Sequence, residues 1–82
     1  MKKVDFAFLK KHHFCHTGES NKFSRKIYED LFLEYDLEQG FMDLVRFLFI
    51  PKYNKDRVQI TLPYKVNDQK KFLTLVNTLL PQ

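Results

Sequence analysis

The feature that most constrains this chain is an apolar run, a turn and an alternating run in succession. The apolar run FMDLVRFLFI, residues 41–50, stops at a proline, and YNKD follows as turn chemistry. RVQITL, residues 57–62, then alternates apolar and polar residues, which is the period of a half-buried strand. Such a strand needs a partner, and the nearest apolar run is 45–50. The sequence therefore predicts a β-hairpin at about 45–62, preceded in one interpretation by a helical turn at 41–44.

Two helices are predicted, one on each side of this hairpin. Over residues 22–38 apolar side chains stand four apart, and Gly40 ends the pattern. A second helical pattern follows Asn67 or Asp68, either of which is a candidate cap, and covers about 68–80. The apolar stripe of the first predicted helix consists of Phe23, Ile27, Leu31 and Tyr35.

The first apolar segment, residues 3–10, fits either a strand or a short helix. Val4, Phe6 and Phe8 alternate, while apolar residues also fill the positions between them, as in a strand buried on both faces. We predict a strand, which gives the element order β-α-β-β-α. That order suits an α+β fold in which both helices pack on one face of a small sheet. A helical first segment would give α-α-β-β-α.

Length and composition predict one small domain that spans 1–82. The chain is 44% hydrophobic and 16% aromatic, which is enough apolar material for one core. Its one cysteine excludes an internal disulfide, and secreted domains of this size usually carry several. The basic start is too short and too charged for a signal-peptide core, and no run approaches the roughly 18–20 apolar residues of a membrane span. We therefore expect a cytoplasmic protein that does not enter a membrane.

The charged residues are sorted along the chain. Residues 1–27 carry seven basic and two acidic side chains, 28–43 carry six acidic and no basic ones, and 44–82 carry seven basic and two acidic ones. Within the first predicted helix the basic residues come first and the acidic residues last, the reverse of what the helix macrodipole favours. One explanation of this charge order is that it was selected for binding to a partner. The alternative is that tertiary packing stabilises the helix, so that the charges at its ends matter little.

The basic segments on either side of the acidic middle predict contact with nucleic acid. The segment KYNKDR combines cations with an aromatic ring, and small domains often bind nucleic acid by phosphate contacts together with stacking. The alternative for this segment is a solubilising turn. The predicted nucleic-acid-binding residues are Lys10, Lys11, Lys22, Arg25, Lys26, Lys52, Tyr53, Lys55 and Arg57.

These patterns lead to two interpretations of function. The first is a small basic, non-enzymatic nucleic-acid-associated accessory protein of replication, transcription or DNA transfer. The alternative is a protein-binding adaptor or inhibitor, encoded by a phage or mobile element, that acts through a bipolar charged helix. Expected partners are nucleic acid, a larger protein, or both, with no cofactor and no small-molecule substrate. The predicted partner-binding residues are Glu29, Asp30, Glu34, Asp36 and Glu38.

The stretch HHFCHTG gathers the three histidines and the single cysteine of the chain. Zinc accepts His and Cys ligands, so His12, His13, Cys15 and His16 form a candidate metal cluster. A structural zinc site normally draws its ligands from two separated segments, and adjacent histidines point apart in any regular element. We therefore predict no metal site, with Phe14 and Cys15 packed inward and the histidines at a solvated edge.

No catalytic constellation is visible in the sequence. The chain has two glycines, which excludes a glycine-rich phosphate loop. A cysteine nucleophile needs a base that is itself oriented by a third group, and no such group is visible. Carboxylates are frequent at 28–43, and Asp43 comes nearest to an apolar setting, although we predict it as a turn or cap residue. We therefore predict that the chain is not an enzyme.

Overall fold

In the computed structural model, residues 2–48 and 56–80 are described, and they form an antiparallel sheet with two helices. The helices are α1 (Phe6–Lys11) and α2 (Gln69–Leu79). The strands are β1 (Cys15–His16), β2 (Lys22–Tyr28), β3 (Leu31–Asp36), β4 (Phe41–Leu48) and β5 (Asp56–Lys65). Each strand pairs with the next along the chain, so the sheet order is β1-β2-β3-β4-β5. The predicted α+β class is confirmed.

The hairpin predicted at about 45–62 is present as far as the described residues reach. β4 and β5 pair antiparallel, with Leu48 opposite Asp56 at one end and Phe41 opposite Lys65 at the other. The helical turn predicted at 41–44 is wrong, because β4 already begins at Phe41 and pairs with β3 on its other side. The predicted turn between the two strands lies outside the described residues.

The helix predicted over 22–38 is wrong, because this segment is a hairpin of β2 and β3. A spacing of four residues fits the two-residue period of a strand as well as the helical period, so the apolar stripe did not distinguish them. Glu29 and Asp30 form the tight turn between the paired residues Tyr28 and Leu31. A continuous helix over 22–38 would contain no turn at these two residues.

Antiparallel pairing also accounts for the order of charges in this segment. Lys22 lies directly opposite Asp36, and Ser24 lies opposite Glu34. The Lys22 Nζ atom lies 3.8 Å from Glu34 Oε1. A basic-first, acidic-last order opposes a helix macrodipole but places opposite charges side by side in a hairpin. The bipolar charged helix of the adaptor hypothesis is therefore wrong.

The strand predicted over 3–10 is also wrong, because its central residues form α1. The Asp5 side chain caps this helix by accepting a hydrogen bond from the Phe8 N–H at 2.8 Å. Two lysines occupy the last turn, where cations are favoured. The helix buries the adjacent residues Phe8 and Leu9 rather than alternate ones. The helical alternative for residues 3–10 is confirmed. The element order α-α-β-β-α is wrong, because the β2–β3 hairpin stands in place of its second helix.

Both helices contact one face of the sheet. Phe72 of α2 is fully buried, and its ring centroid lies 5.0 Å from that of Tyr35 in β3 and 5.4 Å from that of Phe8 in α1. Phe6 of α1 packs edge-on against Phe23 of β2, which is directly opposite Tyr35. We call this the covered face, and the opposite face, on which neither helix packs, the open face.

α2 agrees closely with the helix predicted over 68–80. The carboxylate of Asp68, one of the two predicted caps, accepts a hydrogen bond from the Lys70 N–H at 3.2 Å. Just before α2, the Val66 carbonyl accepts a hydrogen bond from the Tyr35 hydroxyl at 2.7 Å. Burial, with the negative charge of Asp36 nearby, raises the pKa of Tyr35 to about 12, so the phenol stays a donor. This bond fixes the start of α2 to β3.

Candidate partner-binding site

The predicted nucleic-acid-binding residues are divided between the two sides of the sheet. Lys22 and Lys26 alternate on β2 and belong to the open face, because their cross-strand partners Asp36 and Phe32 do. Lys22 Nζ also lies 4.0 Å from Glu19 Oε2, which is within ion-pair range. Lys10 and Lys11 instead lie in the last turn of α1, on the covered side.

The remaining members of that set are Arg25, Arg57 and three residues that the structure does not describe. An Arg25 Nη1 N–H donates to the His12 carbonyl at 3.3 Å, next to the end of α1. Arg57 is part of β5, opposite Phe47. Lys52, Tyr53 and Lys55 lie outside the described residues.

The acidic residues predicted to bind a partner are partly brought together. Glu34 and Asp36 alternate on β3 and share the open face, where Asp43 of β4 lies directly opposite Glu34. Glu29 is exposed in the β2–β3 turn. Asp30, in the same turn, accepts a hydrogen bond from Arg46 Nε at 3.5 Å.

Glu38 stands apart from the open face. It lies in the turn between β3 and β4, and its Oε2 accepts a hydrogen bond from Asn21 Nδ2 at 3.0 Å. Two of the five predicted partner-binding residues, Glu34 and Asp36, therefore meet at one place.

Asp43 is the most buried charged residue among those described, with 9% of its surface exposed. The prediction that it is a turn or cap residue is wrong, because it lies inside the central strand β4. Its Oδ2 accepts a hydrogen bond from Gln59 Nε2 at 2.7 Å. Its Oδ1 is buried and has no hydrogen-bond partner among the described residues. A buried carboxylate oxygen without a donor is destabilising by about 1–3 kcal/mol or more.

The pairing of Glu34 with Asp43 opposes stability in the same way. Glu34 has 12% of its side chain exposed, and Lys22 Nζ lies 3.8 Å from Oε1, within ion-pair range. Like charges placed directly opposite each other on adjacent strands are destabilising. The register of β3 and β4 therefore places two carboxylates side by side on the open face.

These carboxylates line a cavity of about 200 Å³, which we call the acidic cleft. Asp36 is held at its edge, because Oδ1 accepts a hydrogen bond from the Gln39 N–H at 2.9 Å. Lys22 is the one cation among the lining residues, so the cleft carries more negative than positive charge. Its floor and walls are formed by Glu34, Asp36, Phe41, Asp43, Gln59 and Thr61.

An apolar patch lies next to the acidic cleft on the open face. It consists of Phe32, Val45 and Phe47, whose positions continue the alternation from Glu34 and Asp43. The Phe32 and Phe47 rings meet edge-on at 5.5 Å between centroids, and Val45 is 1% exposed. Phe32 and Phe47 are partly exposed, so apolar surface borders the charged cleft.

A second concave surface, which we call the basic groove, runs beside α2. Its cavity is about 780 Å³, and Lys65, Lys70, Lys71, Thr74 and Thr78 line it. We did not single out these residues from the sequence. The sequence does contain a pattern that indicates a shared surface for three of these residues. Lys70, Thr74 and Thr78 repeat every four residues on the polar side of a predicted helix.

The histidine and cysteine stretch does not form a cluster. Phe14 is buried, as predicted, but the prediction that Cys15 packs inward is wrong, because it is exposed on β1. His16 uses both ring nitrogens within its own turn: Nδ1 accepts from the Gly18 N–H at 3.2 Å, and Nε2 lies 2.6 Å from the Ser20 carbonyl. In the described part of the chain, no three His, Cys, Asp or Glu side chains are grouped to hold a metal ion.

We expect His12 to make the stability of the fold depend on pH. Its ring packs on Phe8 at 4.6 Å between centroids. Burial first, and then the positive charges of Lys11, Arg25 and His13, lower the pKa of His12 below 6.5. The folded state therefore favours neutral imidazole, and this contribution to stability is present above pH 6.5 and is lost as the pH falls through the lowered pKa.

We expect the H12Q variant to show a smaller fall in melting temperature than the wild type between pH 7.5 and pH 5.5. The H13Q variant is the matched control, because His13 is exposed and its charge is the smallest of the causes that lower the pKa of His12. Melting curves followed by circular dichroism at both pH values measure the effect. A pH dependence that is reduced equally in both variants would contradict the assignment to His12.

Comparisons with family models, with curated proteins and with solved structures gave no match to this chain. Across residues 2–48 and 56–80, no helix has the length and apolar character needed to cross a membrane.

Proposed function

We propose that this chain is a non-enzymatic protein-binding module, an adaptor or inhibitor that engages a basic region of a larger protein through the acidic cleft. The single observation that carries the proposal is the Asp43 carboxylate, which is buried opposite Glu34 with Oδ1 lacking a donor. A donor supplied by a partner would satisfy this oxygen and offset the repulsion between the two carboxylates.

The surroundings of the cleft support a protein partner over a small-molecule substrate. A cavity of about 200 Å³ is below the ~300–1,000 Å³ that small-molecule sites usually occupy. Phe32 and Phe47 of the apolar patch are partly exposed and add surface that a protein can bury. Charge complementarity at the cleft would govern the rate and specificity of encounter. We place the module in the cytoplasm, on the composition of the chain.

The proposal is tested by panning a randomised peptide library against the immobilised full-length chain. We expect enrichment of basic peptides, whose binding to the E34Q variant is at least tenfold weaker than to the wild type. The E29Q variant is the matched control, because it removes one negative charge from an exposed turn. We expect it to bind within about twofold of the wild type.

Amide chemical shifts then locate the bound peptide on the molecule. Shifts confined to β3, β4 and β5 residues of the open face support the proposal. Equal loss of binding in E34Q and E29Q would mean that net charge alone attracts the peptides, and shifts confined to the basic groove would place binding elsewhere. Either result, or a library that yields no binder, contradicts the proposal.

Nucleic-acid association is a second candidate, and the basic groove is the observation that favours it. Three lysines and two threonines line the groove, and Asp68 is the one acidic residue among its lining residues. Lysine contacts to phosphate are strongest at low salt. We expect oligonucleotide binding at about 50 mM salt to weaken in K70Q but not in K26Q, which alters the open face. No binding of single- or double-stranded DNA at low salt would remove this candidate.

A further inference from the structure

We infer that the acidic cleft is a receptor for one arginine side chain of the partner protein, whose guanidinium group lies between Glu34 and Asp43. This inference rests on the proposed protein-binding function and specifies the chemistry of its central contact. Its basis is the unpartnered Asp43 Oδ1, in a residue that is nine-tenths buried and lines the cleft.

No described group donates a hydrogen bond to Asp43 Oδ1, although Thr61 lies directly opposite Asp43 on β5. Gln59 Nε2 already donates to Asp43 Oδ2 at 2.7 Å. Lys22 Nζ lies 3.8 Å from Glu34 Oε1, which is an ion-pair distance and beyond a hydrogen bond. A donor that enters the cleft meets Asp43 and Glu34 together, because both residues line it and lie directly opposite each other on adjacent strands. Oδ1 is buried, so its contact with the donor requires the Asp43 carboxylate to rotate toward the cleft.

A guanidinium group fits this arrangement better than an ammonium group. It presents five N–H donors in a planar fork, which matches carboxylates on two adjacent strands, whereas an ammonium group is a compact and strongly hydrated point charge. Phe41 also lines the cleft, and planar guanidinium groups stack on aromatic rings. The Phe41 ring already attracts one cation, because Lys65 Nζ lies 5.9 Å from its centroid.

The dimensions and ligand set of the cleft argue against two other occupants. A cavity of about 200 Å³ suits one inserted side chain rather than a whole ligand. A divalent cation prefers six or more oxygen ligands, and no group of three acidic or imidazole side chains is placed for a metal in residues 2–48 and 56–80. An arginine side chain anchored in a pocket is also a frequent main contributor to protein interfaces.

Asp43 permits a substitution that separates binding from folding. Asn at this position keeps an oxygen that can accept the Gln59 hydrogen bond, and it removes the charge that faces Glu34. We therefore expect D43N to have an unchanged or higher urea midpoint of unfolding and at least tenfold weaker arginine binding. A purely structural Asp43 would change both in the same direction.

The experiment is a titration of the ¹⁵N-labelled full-length chain with N-acetyl-arginine amide, followed by amide chemical shifts. We expect shifts at Glu34, Asp43 and Gln59, with affinity at least about fivefold above that for N-acetyl-lysine amide. D43N and E34Q should each reduce the affinity at least tenfold, and E29Q should leave it within about twofold. If D43N fails to fold, E34Q carries the test.

Several outcomes would overturn the inference. Equal affinity for the lysine compound would mean that the cleft does not select guanidinium. Tighter binding of CaCl₂ at the same residues would make the cleft a cation site, and absence of any shift would mean that it binds neither. Peptides that bind the open face without containing arginine would leave the protein-binding proposal intact while contradicting the arginine assignment.

Discussion

Replacing Phe72 with alanine is expected to remove a large share of the stability of the fold. Phe72 is completely buried, and its ring contacts Phe8, Phe14 and Tyr35 at centroid distances of 5.4, 5.3 and 5.0 Å. Removal of a buried phenylalanine ring is destabilising by about 3–5 kcal/mol. A domain of this length has a total unfolding free energy of roughly 4–12 kcal/mol, so this loss removes a large share or all of it.

Urea unfolding followed by circular dichroism measures this effect. The F6A variant is the matched control, because Phe6 belongs to the same aromatic layer but is 55% exposed. Its loss is expected to be about 1 kcal/mol or less. Equal urea midpoints for F72A and F6A would contradict the docking of α2 on the sheet. The comparison therefore tests whether the packing of the helices on the covered face stabilises the fold.

The strand β5 and the helix α2 could be predicted because the sequence pattern of each had one interpretation. The alternation over 57–62 fits a strand and does not fit a helix, and β5 contains it. Asp68 precedes an apolar pattern with a helical period, and it caps α2. Phe72 and Val76 of α2 are buried, whereas Val58 and Ile60 of β5 are exposed, so only the helix has the burial that its pattern predicts.

The segment 22–38 shows where periodicity fails. Phe23 and Ile27, and then Leu31 and Tyr35, stand four apart, which suits one face of either a helix or a strand. The charge order did carry information, because Lys22 and Asp36 are unfavourable at the ends of a helix and complementary across a hairpin. Testing the strand pairing of this segment against its charges would have favoured the hairpin.

The acidic cleft could be predicted in part. The sequence predicts Glu34 and Asp36 as partner-binding residues from their charge alone, although the helix predicted for them is wrong. Asp43 was assigned to a turn, because a charged residue in an apolar run is ordinarily explained by a local break. Its position opposite Glu34 depends on the register of β3 and β4, which follows from the whole sheet and not from a local pattern.

Replacing Gly40 with alanine is expected to have the next largest effect on stability, about 2–3 kcal/mol. Gly40 has a φ angle of +81°, in the left-handed region that costs an alanine roughly 1–2 kcal/mol. A Cβ atom there would also collide with the side-chain amide of Asn67. The position is fixed by two hydrogen bonds of 2.7 Å: its N–H donates to the Asp36 carbonyl, and its carbonyl accepts from the Val66 N–H.

Gly18 separates the two contributions to this loss. It has a similar φ angle, +94°, but an added Cβ atom would meet nothing within 4 Å. We therefore expect G18A to lose about 1–2 kcal/mol from the backbone angle alone, and G40A to lose more by the cost of displacing Asn67. Equal losses in urea unfolding would mean that the Asn67 side chain turns away freely. A larger loss in G40A would show that the β3–β4 turn and the segment before α2 form one packed unit, which also positions Phe41 at the acidic cleft.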